Sequence, residues 1–167
     1  MIQRLKKEFD YCLIDCPAGI EDGFHFAISA ADRAIVVTTP HISAVRDAAR
    51  VLYLLEEQQF LQVDLIINEV DERLIKKHNM LTVSDIEEIL GLGCLGSISV
   101  DNHVIISQNQ GIPVVSVKRS QAAKDFKHIV RRLEDAKIYP FALEEYDKKK
   151  KKQKDFEGRR EFIYEIS

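Results

Sequence analysis

The sequence of 167 residues contains no tryptophan, only three cysteines, and no apolar run of the length a membrane span needs. A bilayer-spanning helix takes about 18 or more predominantly apolar residues, so we expect none. Gly-x-Ser-x-Gly is absent, and the five histidines have no metal-ligand spacing. The sequence therefore gives no sign of a hydrolase nucleophile elbow or of a zinc site.

The few cysteines argue against a disulfide framework. Cys12 and Cys16 lie four residues apart in an apolar stretch. In an extended strand they would be roughly 13 Å apart, too far to share a disulfide or a zinc ion. We predict three reduced cysteines in or near the core and a reducing compartment.

The net charge and the N-terminal residues further limit the classes of protein to which the sequence can belong. The net charge of -3 argues against a globally basic nucleic-acid binder, and we expect no nucleic-acid partner. Met1 is followed by Ile-Gln-Arg-Leu-Lys-Lys, which has neither an apolar core nor a small-residue cleavage site. We therefore expect no signal peptide and a cytoplasmic location.

Short β-rich runs alternate with helical patterns, which predicts an α/β fold with a mostly parallel sheet flanked by helices. The predicted strands are Tyr11–Asp15, Ala34–Thr39, Val63–Asn68 and Cys94–Val100, and Pro113–Val117 is either strand or extended loop. The predicted helices are Glu21–Ala31, Ser43–Gln58, Thr82 or Ser84 to Gly91, and Ala122–Ala136. The continuous β-branched run from Ala34 is typical of a strand covered on both faces. In the last helix, Phe126, Ile129, Val130 and Leu133 are predicted to face the core.

The stretch from Asp10 to Phe24 joins an apolar run, an aspartate and a Pro-Ala-Gly turn. In open α/β sheets, ligands bind outside the carboxyl ends of the strands. An aspartate there, such as Asp15, can hold Mg²⁺ or a magnesium-bound water beside nucleotide phosphates. The alternative is that the aspartate caps the next turn.

Three segments carry a resemblance to a known family. They are Asp15-Cys16-Pro17-Ala18-Gly19-Ile20-Glu21, Ala31-Asp32-Arg33-Ala34-Ile35-Val36-Val37-Thr38-Thr39-Pro40 and Ser43-Ala44-Val45-Arg46-Asp47-Ala48-Ala49-Arg50. Together they resemble the MinD family of deviant Walker-A ATPases, which belongs to the ParA superfamily and selects the bacterial division site. The resemblance extends from about Met1 to Ile138.

The resemblance implies a SIMIBI-type P-loop NTPase fold and a set of site residues. It makes Asp15 the Walker B aspartate, catalytic and supporting Mg²⁺ through water, and Pro17, Ala18 and Gly19 the start of switch II. It places Asn68 at the adenine edge, Ser99 and Asp101 in the adenine pocket, and Arg46, Asp47 and Arg50 on a partner-binding face. In the intact family the reaction is Mg-ATP hydrolysis coupled to dimerisation and membrane cycling. The implied partners are MinC- and MinE-like proteins, a second protomer and a peripheral membrane surface.

The sequence departs from the family in having no Lys-Gly-Gly-x-x-Lys-Thr phosphate loop. That loop supplies backbone N–H donors and a lysine to the phosphates, so we predict weak or no ATP binding by this chain alone and leave open whether it is an enzyme. The glycines at 91, 93 and 96 read as a helix stop. Glu69 and Ser99 stand where the family has arginine and proline.

We expect the chain to be the C-terminal part of a MinD-like protein, with a fold that lacks its first strands. The strand before Asp15 and the strand from Ala34 would then pair directly or leave free edges. One alternative function is a nucleotide-free interaction module that binds division partners. Another is a ParA-type protein of chromosome or plasmid partitioning.

Composition divides the chain into an incomplete MinD-like α/β domain, residues 1–140, and a polybasic tail, residues 141–167. The tail carries Lys148–Lys152, which would favour an anionic membrane surface. Its interspersed acidic residues and the absence of a broad apolar stripe favour a solvated tail instead.

Overall fold

The computed structural model describes residues 2–16, 22–60 and 62–135. The helices are α1 (Ile2–Glu8), α2 (Asp22–Ala30), α3 (Ile42–Glu57), α4 (Glu72–Lys76), α5 (Val83–Leu90), α6 (Asn102–Asn109) and α7 (Gln121–Asp135). The strands are β1 (Ala34–Thr38), β2 (Val63–Val70) and β3 (Cys94–Ser99).

The three strands form one parallel sheet in the order β1-β2-β3. Val36 lies opposite Leu65, and Thr38 lies opposite Ile67. Each connection between neighbouring strands contains at least one helix, as parallel pairing requires. The predicted fold class, a parallel sheet flanked by helices, is confirmed.

One face of the sheet forms the main core. Val36, Leu65 and Ile67 on this face are buried together with Val45 and Leu55 of α3. Residues of α2 and α5 complete the same cluster, among them Phe24 and Ile86. The amphipathic pattern of α3 explains its position, because its buried residues recur at helical spacing.

The opposite face is covered only in part by the described residues. Ile129 of α7 packs with Ile98 of β3, and Ile66 of β2 is partly buried against the same cluster. On β1, however, the side chains of Ile35 and Val37 are 38% and 60% exposed. Among the described residues, α7 reaches β3 and β2 but not β1, so the predicted cover on both faces of β1 is not found in this part of the chain.

The predicted strand Tyr11–Asp15 is also wrong. Residues 11–16 have no regular secondary structure and pair with no strand in the described part of the chain. The side chain of Leu13 is 93% exposed. An apolar run becomes a strand only when a neighbouring edge satisfies its backbone groups, and here none does.

The helix ends follow local capping chemistry. Thr82 and Asp85 form a capping box at the start of α5, and Gly91 ends that helix with a left-handed φ of 64°, as predicted. Ser43 does not cap α3, which begins one residue earlier after His41. Residues 114–116 form a 3₁₀ turn rather than a strand.

Several other expectations need correction. Val130 is half exposed, while Ile129 is buried. All three cysteines are free thiols, but Cys16 is exposed rather than near the core. The short helices α1, α4 and α6 were not predicted. None of the helices in the described ranges combines the length and apolarity that crossing a bilayer requires.

Candidate functional site

The candidate site lies at the carboxyl edge of the sheet. Because the strands are parallel, the segments after Thr38, Val70 and Ser99 leave the sheet at the same edge. Polar residues predicted from the resemblance, Asn68, Ser99 and Asp101, are at the ends of β2 and β3. This is the edge where open α/β sheets bind ligands.

Asp101 is the most heavily hydrogen-bonded side chain of this edge. Its Oδ1 accepts the backbone N–H of His103 at 2.9 Å, and Nδ1 of the same histidine lies 2.7 Å away. Its Oδ2 accepts the Ser120 hydroxyl at 2.7 Å and the Ala122 N–H at 3.2 Å. The carboxylate therefore caps α6 and contacts the first turn of α7, and only 9% of its side chain is exposed.

These donors also set the ionisation of the group. The Ser120 hydroxyl makes the largest contribution, followed by the N–H and ring of His103, and together they hold the pKa of Asp101 well below its ordinary value. Burial acts in the opposite direction and is outweighed. The negative charge also faces the positive ends of two helix dipoles. An anionic Asp101 is thus part of the structural joint between β3, α6 and α7.

Ser99 is tied to the same joint. Its backbone N–H donates to Oδ2 of Asp125 on α7 at 2.9 Å, and Oδ1 of that carboxylate accepts the Gln121 amide. The Ser120 hydroxyl in turn accepts the N–H of Ala123. The end of β3 is therefore held on the first turns of α7 by two aspartates, one from each side.

The end of β2 contains a β-bulge at the predicted adenine-contact residue. Ile67 pairs with Ser97 and Val70 pairs with Ser99, so Asn68 and Glu69 together oppose a single residue of β3. Glu69 has a φ of 60°, a left-handed conformation that a non-glycine residue rarely adopts. Bulges of this kind redirect side chains and are over-represented near functional sites.

Asp71 follows directly after β2 and caps α4. Its Oδ1 accepts the Arg73 N–H, and the Arg73 guanidinium donates to both carboxylate oxygens. The guanidinium makes the largest contribution in lowering the pKa of Asp71 to about 2. Asp71 is thus a second aspartate at the end of a strand whose hydrogen-bond donors come from the chain itself.

Asp15 does not lie at the end of a sheet strand, unlike the predicted site residues of β2 and β3. Asp15 is exposed at the end of the irregular segment 11–16. Pro17, Ala18 and Gly19, predicted as switch II, lie outside the described residues.

The predicted partner-binding residues lie together on α3. Asp47 and Arg50 are exposed, and their charged groups are 4.0 Å apart. Arg46 is partly buried, and its Nε has no accessible surface and no hydrogen-bond partner within the described residues. The helix beneath them is anchored by Val45 and Ala48.

Sequence reasoning missed His103, Ser120 and Asp125. The signals were present: Ser120 precedes a helical pattern and is a typical N-cap, and an aspartate two residues before His103 fits the same role. The spatial link between these caps depends on the packing of α7 on β3, which no local pattern encodes.

The described residues at this edge do not by themselves form a site for Mg-ATP. The carboxylates of Asp101 and Asp71 are occupied by internal donors, and Asp15 is outside the sheet. Across residues 2–16, 22–60 and 62–135, no cluster of three or more His, Cys, Asp or Glu side chains could hold a metal ion.

Comparison with known proteins assigns the chain to a family. A family model, ParA, described as NUBPL iron-transfer P-loop NTPase, matches residues 2–134. The putative septum site-determining protein MinD of Guillardia theta is 44% identical over 149 residues, which is 89% of this chain and 55% of that protein. The septum site-determining protein MinD of Bacillus subtilis (strain 168) is 41% identical, over 89% of this chain and 56% of that protein. The chain thus spans slightly more than half the length of these curated relatives.

Comparison with solved structures also finds MinD proteins. The MinC:MinD cell division protein complex of Aquifex aeolicus matches with a TM-score of 0.76 and 36% identity over 80% of this chain and 56% of that chain. MinD of Pyrococcus horikoshii OT3, complexed with Mg-ADP, matches with a TM-score of 0.69 and 27% identity over 79% of this chain and 53% of that chain. The relatives named here are septum site-determining proteins, so the partitioning alternative is not favoured. The parallel sheet and its partial helical cover, together with these matches, place the chain in the ParA family of P-loop NTPases, and the MinD proteins are members of that family to which it is similar.

Proposed function

We propose that this chain acts in division-site selection as a MinD-type protein, and that it does so as an interaction module that binds a MinC-like partner through α3. The observation that carries the proposal is the similarity to MinD in a MinC:MinD complex, over 80% of this chain. The exposed Asp47 and Arg50 support it, because α3 is held rigidly by its buried apolar side while its polar side faces outward.

The charges on α3 fit a polar protein interface. Asp47 and Arg50 are each about three-quarters exposed and too far apart for a strong mutual ion pair, so both can pair with a partner's charges. The Nε of Arg46 has no accessible surface, so a contact between Arg46 and a partner would be made by the rest of its partly buried side chain. Arginine is enriched among interface hot spots.

Binding to the purified MinC of Aquifex aeolicus, measured by calorimetry, tests this function. We expect binding by the unmodified chain and a loss of about ten-fold or more in affinity for Arg50→Glu. Lys124→Glu reverses an exposed charge on α7 and serves as the matched control, with affinity unchanged. Absence of binding to this MinC, or equal losses in the two variants, would overturn the proposal.

We further infer that the chain alone does not bind Mg-ATP. The sequence contains no phosphate loop, and the carboxylate of Asp101 is occupied by its four internal contacts. An isolated aspartate such as Asp15 repels phosphate in the absence of a bridging cation. A calorimetric titration with Mg-ATP should give no measurable heat of binding, whereas micromolar affinity would refute this inference.

The polybasic tail, residues 141–167, lies outside the described residues, and we propose that it is solvated. Its lysines attract anionic lipid by about 1 kcal/mol each near the surface, but neighbouring acidic residues oppose this. Sedimentation of a tail peptide with anionic liposomes should leave the peptide in solution. Pelleting that depends on anionic lipid would instead support the peripheral membrane location implied by the resemblance.

A further inference from the structure

The outward side of α7 carries a row of cations. Lys124, Lys127 and Arg131 are exposed, and at 3.6 residues per turn their i, i+3, i+7 spacing places them on one side of the helix. The other side of the helix is buried, where Ile129 packs with Ile98 of β3. We call the three cations the α7 stripe, and it faces away from the sheet.

Within the described residues, no acidic side chain forms an ion pair with the α7 stripe. The ion pairs found in residues 2–16, 22–60 and 62–135 involve none of the three cations. Asp125 lies on the same helix, but its carboxylate accepts the backbone N–H of Ser99 and the amide of Gln121. The three charges are therefore exposed to solvent and accessible to an added anion.

The stability of α7 does not account for the stripe. Lys124 and Lys127 are three residues apart, and Lys127 and Arg131 are four apart, and like charges at these spacings destabilise a helix. Lys118 and Arg119 are exposed in the turn before α7, where the helix dipole disfavours cations. An anionic partner that neutralises these charges would relieve the repulsion among them.

The stripe also differs from an apolar face that other parts of a fold could cover. Burying lysine and arginine side chains under apolar residues would require the desolvation of three unpaired charges, which is costly. An occupant of this side of α7 must therefore bring anionic groups of its own.

We propose that the α7 stripe binds an extended acidic segment of a partner protein. Carboxylates form charge-assisted hydrogen bonds with lysine and arginine. The three cations span about 10 Å along the helix axis. Three acidic residues at alternate positions of an extended segment span about 13 Å on one side of that segment. The long side chains of lysine and arginine accommodate this difference, so each cation receives one carboxylate.

The charge of the whole chain favours a short acidic segment over an extended polyanion. The chain has a formal net charge of -3 at pH 7, and the stripe contributes +3, so all other residues together carry -6. Nucleic acid or an anionic membrane would face this negative excess as well as the stripe. A short segment interacts mainly with charges within a Debye length, about 8 Å at physiological ionic strength, and so responds to the stripe.

This surface is independent of the proposed function, because it lies on α7 and not on α3. The test is fluorescence anisotropy of the whole chain with a labelled peptide of about ten residues, in which glutamate and serine alternate. We expect saturable binding that weakens by about ten-fold or more when NaCl is raised from about 50 mM to about 500 mM.

Arg131→Glu should weaken peptide binding by about ten-fold or more, because a repulsive charge replaces an attractive one. Arg50→Glu is the matched control, since it makes the same change at an exposed arginine of α3, and it should leave the affinity for the peptide unchanged. Lys124→Glu should act like Arg131→Glu on the peptide and leave MinC binding unchanged, so the two proposals are judged separately. Circular dichroism verifies that each variant is folded.

Three outcomes would overturn the proposal. The first is no peptide binding at low salt, or equal losses in Arg131→Glu and Arg50→Glu. The second is binding that Arg131→Glu and Lys124→Glu leave intact, which would place the anion-binding groups outside α7. The third is tighter binding to a single-stranded DNA oligonucleotide or to phosphatidylglycerol vesicles that is lost in the same two variants, which would assign the stripe to nucleic acid or to membrane.

Discussion

At the scale of single residues, the aspartates that follow strands turn out to be structural. Asp71 caps α4 after β2, and Asp101 caps α6 after β3. The position after a buried strand suits both a ligand-binding carboxylate and a helix cap, so sequence alone leaves both alternatives open. The hydrogen-bond partners decide between them, and for Asp101 these include Ser120 and Ala122, some twenty residues away.

Asp101→Asn should destabilise the protein near neutral pH by about 1–2 kcal/mol, because one neutral amide replaces an anion that faces two helix N-termini. The folded state lowers the pKa of Asp101 from 3.8. The stabilisation is therefore complete above about pH 4 and is lost as the pH falls toward the lower pKa of the folded state. Urea unfolding at several pH values measures the difference. The exposed Asp47→Asn is the control, and a pH-independent deficit for Asp101→Asn would contradict the assignment.

Glu69→Gly should stabilise the protein by about 0.5–1 kcal/mol. The left-handed φ of 60° is strained for glutamate and free for glycine, which outweighs the entropy that glycine adds to the unfolded chain. Glu72→Gly provides the opposite case, because Glu72 is in the first turn of α4 and the change should cost up to about 1 kcal/mol. Thermal unfolding of both variants is the measurement. Equal destabilisation by both would rule out strain at Glu69.

At the scale of elements, the long amphipathic helices and the capping signals were predictable. The helical spacing of Val45, Ala48 and Leu55 predicted α3, and Thr82 and Gly91 marked the ends of α5. The short helix α6 was missed because its apolar residues do not follow a helical stripe, and Ile105 and Ile106 are exposed. The error at Val130 has a related cause, since α7 covers only part of the sheet and buries a narrow stripe.

The contact between β3 and α7 depends on Gly96. A Cβ atom at this position would lie 2.5 Å from Cγ1 of the buried Ile129. Gly96→Ala should therefore destabilise the protein by about 1–3 kcal/mol through overpacking. Denaturant unfolding of a double-mutant cycle with Ile129→Ala tests the cause, because the penalty at Gly96 should largely disappear once the isoleucine is truncated. If Gly96→Ala lowers the free energy of unfolding equally with and without Ile129→Ala, a clash with Ile129 is not the cause.

At the scale of the whole molecule, sheet membership was the least predictable feature. Tyr11–Asp15 and Ala34–Thr38 are similar apolar runs, yet only the second pairs with a strand in the described residues. Whether an apolar run pairs depends on where the assembled fold places it, and covering of a face depends on how far a helix such as α7 extends. Both depend on tertiary structure, which the hydrophobic periodicity of the sequence does not encode. The family, in contrast, followed from three contiguous segments that required no tertiary information.

The proposed function requires that this chain binds its partner without nucleotide. Calorimetric titration of the chain with MinC, in the presence and in the absence of Mg-ATP, tests this most directly. We expect the same affinity in both conditions, with the loss in Arg50→Glu unaffected by nucleotide. MinC binding that appears only when Mg-ATP is present would contradict it.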